Sequence, residues 1–89
     1  MPKANNSIIS VYGTTYCADC HRARSLLDQY GIKYKWINIE DDSSAAEYVT
    51  TINDGLRIVP TIVFPDNSTL SEPSNAALIE KLKTSLLIT

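Results

Sequence analysis

The sequence predicts an α/β fold: a four-stranded mixed sheet flanked by helices on both faces, in the order βαβαββα. Three observations carry this. Two β-rich apolar runs, Ser7 to Tyr12 and Ile32 to Ile39, are joined by a stretch of helical period, which implies a right-handed crossover and parallel pairing. Two shorter runs, Thr61 to Phe64 and Thr69-Leu70, flank the tight turn Pro65-Asp66-Asn67-Ser68 and read as an antiparallel hairpin. With 89 residues and 44% hydrophobic content, the chain suits one small core, so a single domain over residues 1–89 is expected.

Met1 to Asn6 is polar and reads as a frayed lead-in. Ile8, Ile9 and Val11 alternate too little for a half-exposed strand and suggest a central strand covered on both faces. The first helix is expected from Ala18 to Tyr30, with Cys20, Ala23, Leu27 and Tyr30 on the buried stripe, Arg22, Arg24 and Asp28 outward, and Gly31 as the stop. Tyr34, Trp36, Ile37 and Ile39 mark the second strand, where Trp36 fits ordinary sheet packing better than a ligand platform. Ser44 with Glu47 three residues on fits a capping box, opening a helix with the stripe Ala45, Tyr48, Val49 and Ile52 that Asn53-Asp54-Gly55 ends.

Pro60 inside an apolar run marks a strand start or a deliberate break, since proline cannot donate to a sheet ladder. Pro73-Ser74-Asn75 opens the last helix, with Leu78, Ile79, Leu82 and Leu86 inward and Glu80, Lys81 and Lys83 in water. A net charge of −2 with scattered basic residues argues against nucleic acid. No apolar stretch reaches the length of a membrane span, and Met1 to Ser7 has no signal-like core, so a cytoplasmic location is expected.

Both cysteines lie in Thr14-Thr15-Tyr16-Cys17-Ala18-Asp19-Cys20-His21, where the first strand hands over to the first helix. The unpaired N–H groups and positive dipole end there would stabilise a thiolate at Cys17, making it the candidate nucleophile. Asp19 opposes this by its charge. Cys20, one turn on, is the candidate resolving thiol. A zinc site wants four ligands and finds only Cys17, Cys20 and His21 nearby, so no metal is expected. The spacing C-x-x-C-H is also a haem-attachment pattern, but Met1 is the only methionine to serve as a distal ligand. A buried structural pair is the third alternative, weakened by the exposed, electropositive helix start. His21 reads as a surface residue more readily than as a proton shuttle.

From Ile8 to about Lys83 the chain resembles the thioredoxin fold in its short, glutaredoxin form, with C-x-x-C after strand one and Val59-Pro60 before strand three. Cys20-His21-Arg22-Ala23-Arg24 resembles the segment that follows the glutaredoxin cysteines. Asn53-Asp54-Gly55-Leu56-Arg57-Ile58-Val59-Pro60-Thr61 is similar to the mycoredoxin pattern N-G-G-x-R-T-V-P-T, and that branch also carries Thr-Thr-aromatic where Thr14-Thr15-Tyr16 stand. The resemblance implies a thiol-disulfide oxidoreductase with Cys17 and Cys20 catalytic. It implies substrate contacts at Tyr16, Arg57, Val59 and Pro60, with Pro60 cis and facing Cys17. It implies no bound cofactor; the external reductant would be mycothiol, glutathione or a thioredoxin-type reductase. Expected partners are disulfide-containing proteins and low-molecular-weight thiols, met as a monomer.

Glutathione-using relatives would have lysine at Thr14 and tyrosine at Asp19, and Gly-Gly before an aspartate where this chain has Ser71-Glu72-Pro73-Ser74, which implies poor use of glutathione. The alternative from another class is a redox-sensing or binding module on the same fold, without turnover.

Overall fold

A computed structural model describes residues 8–85 and 87. It contains β1 (Ile9–Gly13), α1 (Ala18–Gln29), β2 (Tyr34–Asn38), α2 (Ser43–Ile52), β3 (Thr61–Val63), β4 (Thr69–Ser71) and α3 (Asn75–Thr84). The sheet order is β2-β1-β3-β4, with β1 parallel to β2 and the other pairs antiparallel. This is the expected mixed sheet with β1 central. Strand alternation splits the core in two. Ile9, Val11, Ile62 and Phe64 face α1 and α3, meeting Ala23, Leu26, Leu27, Leu78 and Leu82. On the other face Tyr12 and Ile37 pack on the smaller cluster of Ile39, Ala45 and Val49 from the β2–α2 region.

β1 begins one residue after Ile8, which is 45% exposed, and its cover is uneven. The face opposite α1 and α3 is closed at Tyr12 but open at Ser10, where an approximately 370 Å³ hollow lies between Ile8, Lys35 and Val63. α1 stops at Gln29. The Gly31 N–H bonds to the Asp28 carbonyl and the Ile32 N–H to that of Leu27, a Schellman motif whose glycine has φ +68°. Tyr30 thus falls on the cap and is exposed, while Leu26 takes the buried place expected for it. Spending Gly31 and Ile32 on that cap is also why β2 starts at Tyr34.

The expected capping box of Ser44 and Glu47 is not used. Asp42 caps α2, its Oδ1 accepting the Ala45 N–H at 3.1 Å, so the helix starts two residues earlier than that box implies, with a carboxylate at its positive end. Tyr48 is half in solvent, tilted against the Tyr12 ring at 5.4 Å. Leu86 and Met1 to Ser7 lie outside the described residues. Three cations expected in water are instead packed: Arg24 lies 4.1 Å over Trp36, Lys81 lies 5.2 Å over Phe64, and Arg22 is bound to three acceptors.

The link from α2 to β3 is braced by one side chain. Asn53 Nδ2 donates to the Val49 carbonyl (2.8 Å) and to Thr61 Oγ1 (3.0 Å), Thr61 Oγ1 donates to the Ile58 carbonyl, and Ser71 Oγ donates to Asn53 Oδ1. Thr61 is fully buried, so losing the Asn53 donor leaves its hydroxyl with its bond to the Ile58 carbonyl but with no donor to its own oxygen. Asn53→Ala is expected to cost about 1–3 kcal/mol, read from the urea midpoint of wild type and variant.

Candidate active site

The end of β1 is buried at Gly13, and the glycine has a steric reason. A Cβ there would sit 2.5 Å from Cys20 Sγ and 2.8 Å from the Trp36 ring, so only a bare Cα admits both. Trp36 is therefore a packing residue behind the cysteine pair. After the link Thr14-Thr15-Tyr16, Cys17 takes the N-cap of α1 with extended backbone (φ −91°, ψ 112°). Its Sγ accepts the Cys20 backbone N–H at 3.1 Å, the contact that serine or aspartate oxygens make at other helix starts. One of the orphan N–H groups of the helix thus points at the sulfur.

The two thiols differ sharply. Cys17 is half-buried, whereas Cys20 is completely buried; both are free. Burial pushes the Cys20 thiol up to about 12, helped by its hydrogen bond to Cys17 and by the charges of Cys17 and Asp19. Cys20 therefore stays protonated at neutral pH. The Asp19 carboxylate is held 3.1 Å from Arg22 Nη2, so its charge is shared with a guanidinium. Arg22 also donates to Asn75 Oδ1 (2.7 Å) and to the Pro73 carbonyl (3.1 Å), binding the first turn of α1 to the entry of α3.

Across from the cysteines stands the loop before β3. The Val59–Pro60 bond is cis, as the family pattern implies, and the Val59 carbonyl oxygen lies 3.9 Å from Cys17 Sγ. Pro60 is buried, its carbonyl accepting the Glu72 N–H at 2.7 Å. Of the expected contact residues, Val59 is thus brought to Cys17, with Pro60 next to it in the chain. Tyr16 is 93% exposed beside Cys17, and Arg57 is exposed two residues before Val59. Sequence reasoning missed Arg22, Asn38 and Asn53 as braces of this site; all three are polar residues beside its motifs, but the farthest partner of each lies 18 to 53 positions away. Among the described residues, no three His, Cys, Asp or Glu side chains come together as a metal site.

Residues 9–68 match the sequence profile of the glutaredoxin family. The chain belongs to the glutaredoxin family. It is 39% identical over 74 residues to a Mycobacterium tuberculosis protein that carries the glutaredoxin name, covering 83% of this chain and 88% of that one. It is 35% identical over 77 residues to mycoredoxin 1 of Corynebacterium glutamicum, covering 86% and 95%. The structure of Escherichia coli NrdH-redoxin, at 24% identity, superposes with a TM-score of 0.69 over 83% of this chain and 92% of that one, which shows the thioredoxin-like fold. As a glutaredoxin, the protein is a thiol oxidoreductase; the family draws on low-molecular-weight thiols such as mycothiol or glutathione. No helix among the described residues is long and apolar enough to cross a membrane.

The buried thiol makes stability depend on pH. Cys20 holds its proton to about pH 12 when folded but near 9.0 when exposed, so the unfolded chain deprotonates first. Its contribution is complete below about pH 9 and is lost as the pH rises toward 12. Urea midpoints of wild type should fall faster with alkaline pH than those of Cys20→Ala, while the raised Tyr12 phenol, common to both, cancels.

Proposed function

We propose that this glutaredoxin reduces protein disulfides, and mixed disulfides with a low-molecular-weight thiol, through Cys17 and Cys20. The observation that carries this reading is the asymmetry of the pair: a half-exposed sulfur at a helix N-cap backed by a buried, protonated one. The Cys17 thiolate attacks a disulfide sulfur, forming a mixed disulfide and releasing the other half as a thiolate that takes up a proton. In that intermediate the Cys17 charge is gone, and with it two of the causes that hold the Cys20 proton. Cys20 then gives up its proton and attacks Cys17 Sγ, forming the Cys17–Cys20 disulfide and releasing the remaining substrate sulfur as a thiolate that takes up that proton; alternatively, an external thiol attacks the substrate-derived sulfur and releases Cys17 as a thiolate. Val59 offers backbone groups to an extended substrate, with Tyr16 and Arg57 at the rim. A c-type haem reading loses support because a fully buried Cys20 wedged against Gly13 and Trp36 offers no room for a thioether.

The rim supports an uncharged thiol such as mycothiol over glutathione, which carries two carboxylates. The Glu72 N–H is spent on Pro60, Pro73 has no N–H, the Ala77 N–H of α3 is capped by Ser74 Oγ, and the Arg22 fork is filled. Asp19 and Glu72 add like charge. The reducing cytoplasm suits a dithiol of this kind, acting as a single domain over residues 1–89 and as a monomer.

Cys17→Ser should abolish disulfide reduction, whereas Cys20→Ser should keep turnover of small-thiol mixed disulfides and lose most reduction of protein disulfides. Coupled assays with mycothiol, glutathione and thioredoxin reductase as donors test the choice; efficient glutathione turnover would refute the rim argument. Absence of turnover with every donor and substrate would favour a redox-sensing module instead. Glu72 sits at φ +51°, a conformation that costs a non-glycine residue roughly 1 kcal/mol. Glu72→Gly should therefore raise the urea midpoint, and by removing a carboxylate it should improve glutathione turnover.

A further inference from the structure

We propose that His21 and Asn38 are positioning residues that clamp Thr15 from two sides and so hold Cys17 in its capping geometry; this rests on the reading of Cys17 as the nucleophile. The link from Thr14 to Tyr16 is short of support of its own. Its internal backbone bond, Cys17 N–H to the Thr14 carbonyl, is long at 3.4 Å, and Thr15 and Tyr16 are both exposed. Thr15 is nevertheless gripped twice. From α1, His21 Nε2 meets the Thr15 carbonyl at 2.7 Å; a carbonyl only accepts, so Nε2 carries the proton. From the end of β2, Asn38 Nδ2 donates to Thr15 Oγ1 at 3.0 Å, while Asn38 Oδ1 is itself fixed by the Glu40 N–H at 3.0 Å.

The two arms come from the helix that the link enters and from the strand beside the one it leaves. α1 carries Cys20, whose N–H the Cys17 sulfur accepts, and β2 lies parallel to β1. Tying Thr15 to both fixes the segment two residues before the sulfur relative to the helix it caps. With the arms cut, the link swings and the bond from the Cys20 N–H to Cys17 Sγ is populated for less of the time, so the thiolate is less stabilised and reacts more slowly. His21 does this in either ring charge state, since Nε2–H is a donor in both. Its role is geometric, distinct from proton transfer.

The test is the rate of iodoacetamide alkylation of Cys17 in reduced protein at about pH 7, located by peptide mass spectrometry, in wild type, His21→Leu, His21→Gln and Asn38→Ala. Glutamine places an amide N–H near the position of Nε2 and should stay within about twofold of wild type, whereas leucine should slow the reaction by about 5- to 10-fold and Asn38→Ala by about threefold. Far-UV circular dichroism and urea midpoints establish that the variants are folded. Should Asn38→Ala fail to fold, Thr15→Val removes the same contact at its other end and is read in the same way. The clamp is overturned if His21→Leu alkylates at the wild-type rate, or if leucine and glutamine slow it equally. Alkylation needs no turnover, so a wild type inactive toward every disulfide that still shows this pattern overturns the reductase reading and supports the clamp.

Discussion

At the start of α1 a sulfur does the work usually given to a hydroxyl or a carboxylate: Cys17 Sγ accepts the Cys20 N–H and caps the helix. In the proposed mechanism the reactive atom and the structural cap are one atom. Its position is therefore inherited from everything that positions the helix start: the central strand that delivers the chain, the missing Cβ at Gly13 that lets Cys20 and Trp36 pass, and the crossover that returns to β2 alongside β1. A change in any of these moves the sulfur relative to the N–H that stabilises its charge.

The facing loop is held by a separate device. Asn53 closes the end of α2 and at the same time holds Thr61 at the start of β3 and Ser71 at the end of β4. The Glu72 N–H adds a further tie from the residue after β4 to Pro60. Val59 thus reaches Cys17 from a segment anchored on three elements, none of which carries a cysteine. The two sides are joined by the β1–β3 pairing and by Arg22, so the distance between Val59 and Cys17 is set by the sheet and not by the loops alone.

The architecture was legible because it rests on local signals. The period change around the cysteines, Gly31 at a helix end and the turn Pro65 to Ser68 each encode an element, and their order allows few topologies. Boundaries were less so. Ser44 and Glu47 formed a good capping box, but Asp42 brought a full charge to the helix end, and local pattern does not rank competing caps. Tyr30 continued the apolar stripe of α1, yet a Schellman cap ended the helix before its side chain could point inward. At the site, the roles proposed for Cys17 and Cys20 followed from their place beside a strand–helix junction, whereas the braces depend on partners distant in the chain. Arg22 carries no local sign that it will reach Asn75 and Pro73.

The difference between the two cysteines has a single origin, which is depth. One helical turn separates them, and the helix axis carries Cys20 under the link and against the inner face of β1, while Cys17 stays at the lip. Desolvation then raises the deeper thiol, Cys20. A buried thiol with its proton held high is slow to react with solutes. In the proposed mechanism, consumption of Cys17 would remove its charge and its hydrogen bond to the Cys20 thiol, two of the lesser causes that hold the Cys20 proton, while desolvation would remain.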